Sequence, residues 1–297
     1  MMTERVDKID DGIYRLEKEL PGVSDTFTAY FIKDSCNILI EPGPSALIPA
    51  ILAAAGEIGI TDFQYIIPTH IHMDHAGALG KLTAIFPQAI VVTNSQAARH
   101  IIDPLRLIRS TRMSFGIDFE NTHGSIEPVP ESKVKVVRDQ EKLYLCEREL
   151  LFIETPGHAP HHIAIFDTGT GALFCGEALG LIYTADTQPL AAAAPPNFDL
   201  DVYLRSMEKL RELPSKFLLY SHGGMSREPE KSISIAIENV KKIGDIILQA
   251  LKTSSEEAAA PSVDKYIQEH FGAKLTQYTL MNNIYGYAGY FKKKGLI

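Results

Sequence analysis

The chain has 297 residues, is 45% hydrophobic and 22% charged, and carries a net charge of −8 with histidine neutral. Such a chain can bury a large core, as one large domain or a large plus a small one, and its composition is ordinary for a soluble globular protein. The acidic balance argues against a nucleic-acid backbone as the main partner, because phosphate recognition wants a basic surface.

The first residues are charged and lack the apolar stretch of a secretory leader. Every longer apolar run is broken by Pro, Gly or charge before it reaches a membrane span. A cytoplasmic protein with a small-molecule substrate is expected, with no nucleic-acid or membrane partner; a homodimer stays open. Cys36, Cys146 and Cys175 are odd in number and sit in apolar, strand-like surroundings, so three buried, reduced thiols are expected.

Short β-like runs at 12–16 and 27–33 flank the turn-rich Pro21-Gly22-Val23-Ser24-Asp25. The apolar run 35–41 ends at Pro42-Gly43-Pro44-Ser45. Residues 46–57, rich in Ala, Leu and Ile, predict a helix closed near Gly59. A strand over 62–67, a helix over 77–86 and a strand over 89–93 follow. This alternation predicts an α/β architecture with helices covering sheets.

Residues from about 95 to 130 break the rhythm, with helices at 96–102 and 104–115. Arg106, Arg109 and Arg112 recur every third residue on the second of these. They read either as a solvated face or as a grip on an anionic substrate group, with Arg109 and Arg112 as the candidates. Strands resume at 133–137, 142–145, 150–155, 161–166 and 172–175. Residues 186–199, with Pro189, Pro195 and Pro196, read as a loop. Asp199 suits the N-cap of a helix through 213, and 216–220 is a strand. From about 225 the composition changes. A long amphipathic helix over 229–252 precedes a polar, Ala-rich linker or frayed helix end at 253–260, a helix at 263–271, and a tail ending in Lys292-Lys293-Lys294 at a solvated end.

The chemistry concentrates in Thr69-His70-Ile71-His72-Met73-Asp74-His75-Ala76-Gly77. Three imidazoles and a carboxylate within six residues are hard to explain by packing, and such groups together suit a divalent metal. One local cluster cannot enclose an ion. Later histidines and an acid stand ready: His158 in Thr155-Pro156-Gly157-His158, Glu177 in Cys175-Gly176-Glu177, and His222 in Tyr220-Ser221-His222-Gly223. No phosphate loop or dinucleotide fingerprint competes.

With Asn37-Ile38-Leu39-Ile40-Glu41-Pro42-Gly43 at the front, these five motifs, in this order, resemble the metallo-β-lactamase fold superfamily over roughly the first three quarters of the chain. The resemblance implies a four-layer αββα sandwich over 1–224, with a helical insertion at about 95–130 and a small helical C-terminal extension at 225–297. It implies that His70, His72 and His158 hold one metal, that Asp74, His75 and His222 hold a second, and that Glu177 takes the bridging position. Two divalent ions, Zn2+ ahead of Fe or Mn, would then generate a metal-bound hydroxide at neutral pH. Asp74 is a further candidate for proton transfer. Glu41 and His162 would support the ligands from outside, with His161 less clearly so. Tyr183 is a candidate for stabilising a substrate oxyanion or an ordinary core residue, and His100, His123 and His270 read as ordinary histidines. The pattern usually has aspartate where this chain has Glu41 and Glu177, so one ion or two, and iron or zinc, stay open.

The implied activity is hydrolysis of a small ester, thioester or lactone, with hydroxyacylglutathione hydrolases and related thioesterases as the nearest functional analogy. An iron-containing redox protein handling oxygen, nitric oxide or persulfide, and a phosphodiesterase, are the alternatives.

Overall fold

The computed structural model describes residues 6–21, 23, 26–116, 118–145, 147–182, 188–272 and 275–297. Two sheets carry the fold. The first holds β1 (Val6–Asp10), β2 (Ile13–Glu19), β3 (Thr26–Lys33), β4 (Asn37–Ile40), β5 (Tyr65–Ile67), β6 (Ile90–Asn94) and β7 (Val134–Val137), in that spatial order. It is antiparallel through β4 and parallel from β4 to β7. The second holds β8 (Glu141–Leu145), β9 (Arg148–Glu154), β10 (Ile163–Asp167), β11 (Ala172–Gly176), β12 (Phe217–Tyr220) and β13 (Met225–Ser226), in the order β13-β12-β11-β10-β9-β8. Within it β11 and β12 are parallel and the other neighbours antiparallel.

The two-residue period of a strand builds the layers. In β3, Tyr30 and Ile32 enter a core between the sheets, with Ile38, Ile67, Phe152, Ile165, Phe174 and Leu219. Ala29 and Phe31 point the other way. They meet Ile51, Ala54 and Leu82 of α1 (Ile48–Glu57) and α3 (Leu79–Ile85), which follows the single turn α2 (Met73–Ala76). Helices α4 (Ser95–Ile102), α5 (Leu105–Phe115) and α6 (Phe119–His123) lie in the chain between β6 and its parallel neighbour β7. On the outer face of the second sheet, Ile153, Ala164, Leu173 and Leu218 pack against α7 (Leu200–Arg211), α8 (Pro229–Leu251), α9 (Glu256–Phe271) and α10 (Gln277–Lys293). The result is the expected αββα sandwich, and the last three helices share one apolar cluster with the second sheet. No helix among the described residues is long and apolar enough to cross a membrane.

Three expectations need correction. Cys36 is disulfide-bonded. It lies half-buried in the bend between β3 and β4 rather than inside a strand, so the reading of three reduced thiols fails, and with it that support for a reducing compartment. Among the described residues Cys175 alone is free, and it is buried; Cys146 lies outside the described residues. Residues 256–260 are the first turns of α9, not a linker, because their alanines favour helix and Ala259 and Ala260 are buried. A strand, β1, also forms at the charged N-terminal end, where none was expected. Asp199 does cap α7: its side chain accepts the Val202 N–H at 3.1 Å.

The inter-sheet core ties the two sheets together. Phe152 is wholly buried there, so Phe152→Ala should cost about 3–5 kcal/mol, read as a lower urea midpoint at unchanged slope. A cost below about 1 kcal/mol would mean that the two sheets do not pack through this residue.

Candidate metal centre and the cleft above it

The predicted donors come from the C-terminal ends of β5, β9, β11 and β12, which all finish at one edge of the sandwich. The sheets are tied together there: Ile163 N–H donates to Thr69 O at 2.8 Å, Thr28 N–H to Ser221 O at 3.0 Å, and Tyr30 O–H to Tyr220 O at 2.6 Å. Rigid strands thus hold loops that carry the polar groups.

Two groups of donor atoms form. His70, His72, His158 and Glu177 make the first, and Asp74, His75 and His222 the second. Within the first, His70 Nε2 is 2.9 Å from His72 Nδ1 and 3.2 Å from His158 Nε2, and His158 Nε2 is 3.0 Å from His72 Nδ1. Within the second, Asp74 Oδ2 is 3.5 Å from His75 Nε2 and 3.6 Å from His222 Nε2. One oxygen, Glu177 Oε2, touches both. It lies 2.6 Å from His158 Nε2, 3.3 Å from His70 Nε2 and 3.5 Å from His75 Nε2.

The far side of each ring decides what these nitrogens offer. His158 Nδ1–H donates to Ala192 O at 2.7 Å, and His222 Nδ1–H to Thr26 O at 3.0 Å. His75 Nδ1 bonds the Glu41 carboxylate. A carbonyl or carboxylate only accepts, so each Nδ1 carries the hydrogen and a neutral ring leaves Nε2 as a bare lone pair. Bare lone pairs and carboxylate oxygens 2.6–3.6 Å apart repel one another unless a cation lies among them. Burial pulls His70 well below the usual imidazole range and brings His72 down to about 4. Burial also opposes charge on His75 and His158, yet Glu41 and Asp74 around the first, and Glu177 beside the second, outweigh it and raise both. Glu177 and Asp74 are held low by their histidines despite burial. The site therefore demands positive charge at its centre, and the donor set fits divalent ions.

Glu41 sits at φ 59°, a left-handed conformation that a non-glycine residue adopts at a cost of order 1–3 kcal/mol. The conformation lets Oε1 accept the Thr69 N–H at 2.6 Å while the other oxygen meets His75. His162 touches the site through backbone: Nε2 accepts the Glu177 N–H at 3.1 Å, and Nδ1–H donates to Thr155 Oγ1 at 2.7 Å. Gly176, at φ 54°, keeps this contact open, since a Cβ there would lie 2.6 Å from His162 Nε2. Tyr203 O–H fixes the other side of Glu177, donating to its carbonyl at 2.6 Å.

A cleft of about 430 Å³ opens over His72, Asp74, His158, Glu177 and His222. Its walls come from α4, α5, the 192–197 loop and the first turns of α10. Arg109 and Arg112, expected there, are not on the wall. The lining positions of α5 are 106, 107, 110, 111, 114 and 115, and helical periodicity turns 109 and 112 to the other side. Arg112 instead pairs with Glu120 at 3.2 Å on the exposed surface. The basic lining residues are Arg99 and Arg106. His100 and His161, given no role or an uncertain one, both line the cleft; burial and neighbouring imidazoles push His161 down to about 2. His123 is buried and His270 exposed, and neither belongs to a donor group. Tyr183 lies outside the described residues.

Three supporting contacts carried no residue-type signal in the sequence: the Thr26 and Ala192 carbonyls, and buried Asn283 of α10. Asn283 Oδ1 accepts the Ala193 N–H at 2.9 Å, next to the carbonyl that orients His158. Gly286, one turn on, lets α10 close on the same segment, since a Cβ there would lie 2.0 Å from Ala193 O. The C-terminal helix thereby braces the loop that holds a donor histidine.

Comparison with known proteins agrees with this geometry. A family model described as the metallo-beta-lactamase superfamily matches residues 27–222. Metallo-beta-lactamase fold-containing protein ST1585 of Sulfurisphaera tokodaii is 29% identical over 165 residues, 54% of this chain and 61% of that protein. The anaerobic nitric oxide reductase flavorubredoxin of Salmonella arizonae is 30% identical over 169 residues, 56% of this chain but 30% of its own length. This chain thus spans less than two thirds of either relative. The solved structure of metallo-beta-lactamase family protein TTHA1429 from Thermus thermophilus superposes with a TM-score of 0.70 over 97% of this chain and 95% of that one, at 20% identity.

The outer contacts should matter for metal affinity. Glu41→Gln, which weakens the partner of His75, is expected to loosen divalent-ion binding about 10–100-fold, and Asn283→Ala, one bond further out, by less. Competition titration with a metal indicator, alongside circular dichroism, measures both. Unchanged affinity in Glu41→Gln would show that Glu41 serves the fold only.

Proposed function

The chain belongs to the metallo-beta-lactamase superfamily, and on that premise we propose that it is a metal-dependent hydrolase of a small ester, thioester or lactone. The observation that carries this is Glu177 Oε2, within 3.5 Å of imidazole nitrogens from both donor groups. A single shared oxygen suits two adjacent ions. His70, His72 and His158 would hold one, Asp74, His75 and His222 the other, and Glu177 would touch both. When bound, such ions supply a water nucleophile at neutral pH and a Lewis acid for the carbonyl oxygen.

The protein's own groups do the rest. His158 and His222 are fixed through their Nδ1–H bonds, so their donor nitrogens need no reorganisation. The backbone of Glu177 is pinned by His162 and Tyr203, which sets the reach of its longer side chain. Asp74 is half-buried at the cleft floor. It would hold the second ion with His75 and His222, and its side facing the cleft is the carboxylate placed to accept a proton and return it to a leaving group. Leu107, Phe115, Leu181 and Ile182 give the cleft an apolar side that displaces water from a bound acyl chain.

A redox reading draws on the likeness to flavorubredoxin, which covers only part of that protein. Three imidazoles with one carboxylate in the first group suit zinc as well as iron, so the metal separates the readings. Protein purified without added metal should contain zinc and turn over at least one member of an ester, thioester and lactone panel. Chelation should abolish turnover and Zn2+ should restore it. Iron with a visible absorption band and no turnover would favour the redox reading instead. His72→Ala should abolish hydrolysis while leaving the circular dichroism spectrum unchanged; wild-type turnover in that variant would remove the metal from the chemistry. Glu177→Asp should keep activity within about a hundredfold, since a displacement of about 1 Å costs about that much, whereas Glu177→Ala should lose far more.

A further inference from the structure

On the hydrolase reading, we infer that the α4–α5 wall of the cleft is an oxyanion subsite in which Arg99 and Arg106 bind a negatively charged tail of the substrate, remote from the scissile bond. The cleft's charge is uneven. Among its described lining residues the only acids are Asp74 and Glu177, both in the donor groups at the floor, and the only permanent cations are Arg99 and Arg106. Neither guanidinium pairs with a carboxylate among the described residues; Arg99 Nε instead donates to His100 Nε2 at 3.2 Å. Two guanidiniums without a carboxylate partner among the described residues, in a protein of net charge −8, form a local positive field that attracts anions.

The three side chains are near one another. Burial, Arg99 and then Arg106 hold His100 below the usual imidazole range, against the opposing pull of Asp103. The floor connects to this wall through imidazoles: the His72 and His161 rings are 5.9 Å apart, and His161 lines the cleft together with His100. Ser110 and Ser114 of α5 and Gln96 of α4 add neutral donors on the same wall. The apolar side of the cleft, with Leu107, Leu181 and Ile182, lies within the same 430 Å³. The substrate this describes has a reactive acyl group at the floor, a short apolar body, and a carboxylate or phosphate at the far end. Arginine forks match both oxyanions with paired hydrogen bonds.

Binding can be read without turnover. Calorimetry on the metal-loaded protein would compare a series of α,ω-diacids from succinate to azelate, and 4-phosphonobutyrate, with monocarboxylates of equal chain length. One acid group can meet the floor and the second can reach the wall. At least one two-headed ligand should bind about tenfold or more tightly than its one-headed match, a ratio typical of one charge-assisted contact pair. That preference should vanish in Arg99→Met/Arg106→Met and persist in Arg109→Met/Arg112→Met. A diacid preference alone assigns the tail to a carboxylate, and a phosphonate preference to a phosphate. In parallel, the Arg99/Arg106 variant should raise KM for 4-nitrophenyl hydrogen glutarate about tenfold, leave its kcat near wild type, and leave 4-nitrophenyl pentanoate unaffected. If no substrate is turned over but the binding preference behaves as stated, the subsite stands and the hydrolase reading falls. If two-headed and one-headed ligands bind alike, or the preference survives loss of both arginines, the subsite is overturned.

Discussion

Everything at the open edge of this sandwich answers to one constraint: bare imidazole nitrogens and carboxylate oxygens are packed together within 2.6–3.6 Å at the floor of the cleft. Glu177 Oε2 at 2.6 Å from His158 Nε2 is stable only if positive charge lies between or upon them. Without an ion the charge must come from protons, which is why His75 and His158 are raised against the pull of burial. With ions, the same donors are pre-arranged and the lone pairs become ligands. A metal is therefore the simplest way to satisfy what the fold has already assembled.

The constraint reaches through every layer. Glu41 comes from the end of β4, Thr26 from the start of β3, Ala192 from the loop before α7, and Asn283 from the last helix. Each fixes a donor through its outer nitrogen or through the segment beside it. The strained backbone at Glu41 is part of this design, since it aims one carboxylate at both His75 and the Thr69 amide. The C-terminal helices do two things at once: they cover the second sheet, and α10 both braces the Ala192 segment and contributes Thr279 and Asn282 to the cleft wall.

Much of this was legible in the sequence, because donors of a metal site are scarce residue types clustered in short motifs. His70, His72, Asp74, His75, His158, Glu177 and His222 stand out, and the structure brings all of them to one place. Strand and helix periods likewise gave most elements to within a few residues. The backbone acceptors at Thr26 and Ala192 were not legible, since every residue has a carbonyl. The arginines show a different limit. Spacing identified a basic helix, but which of Arg106, Arg109 and Arg112 faces the cleft depends on how α5 is rotated against its neighbours, and Arg99 belongs to another helix. Cys36 failed because its surroundings read as strand while the residue sits in a bend.

The central claim is that the donor cage holds a pair of ions sharing Glu177. Anomalous X-ray scattering from crystals of the protein purified without added metal tests it most directly. The account predicts two peaks at the cleft floor, roughly 3.5–4 Å apart, one among His70, His72 and His158 and one among Asp74, His75 and His222, with Glu177 touching both. A single fully occupied peak, or none, after soaking in zinc would contradict it.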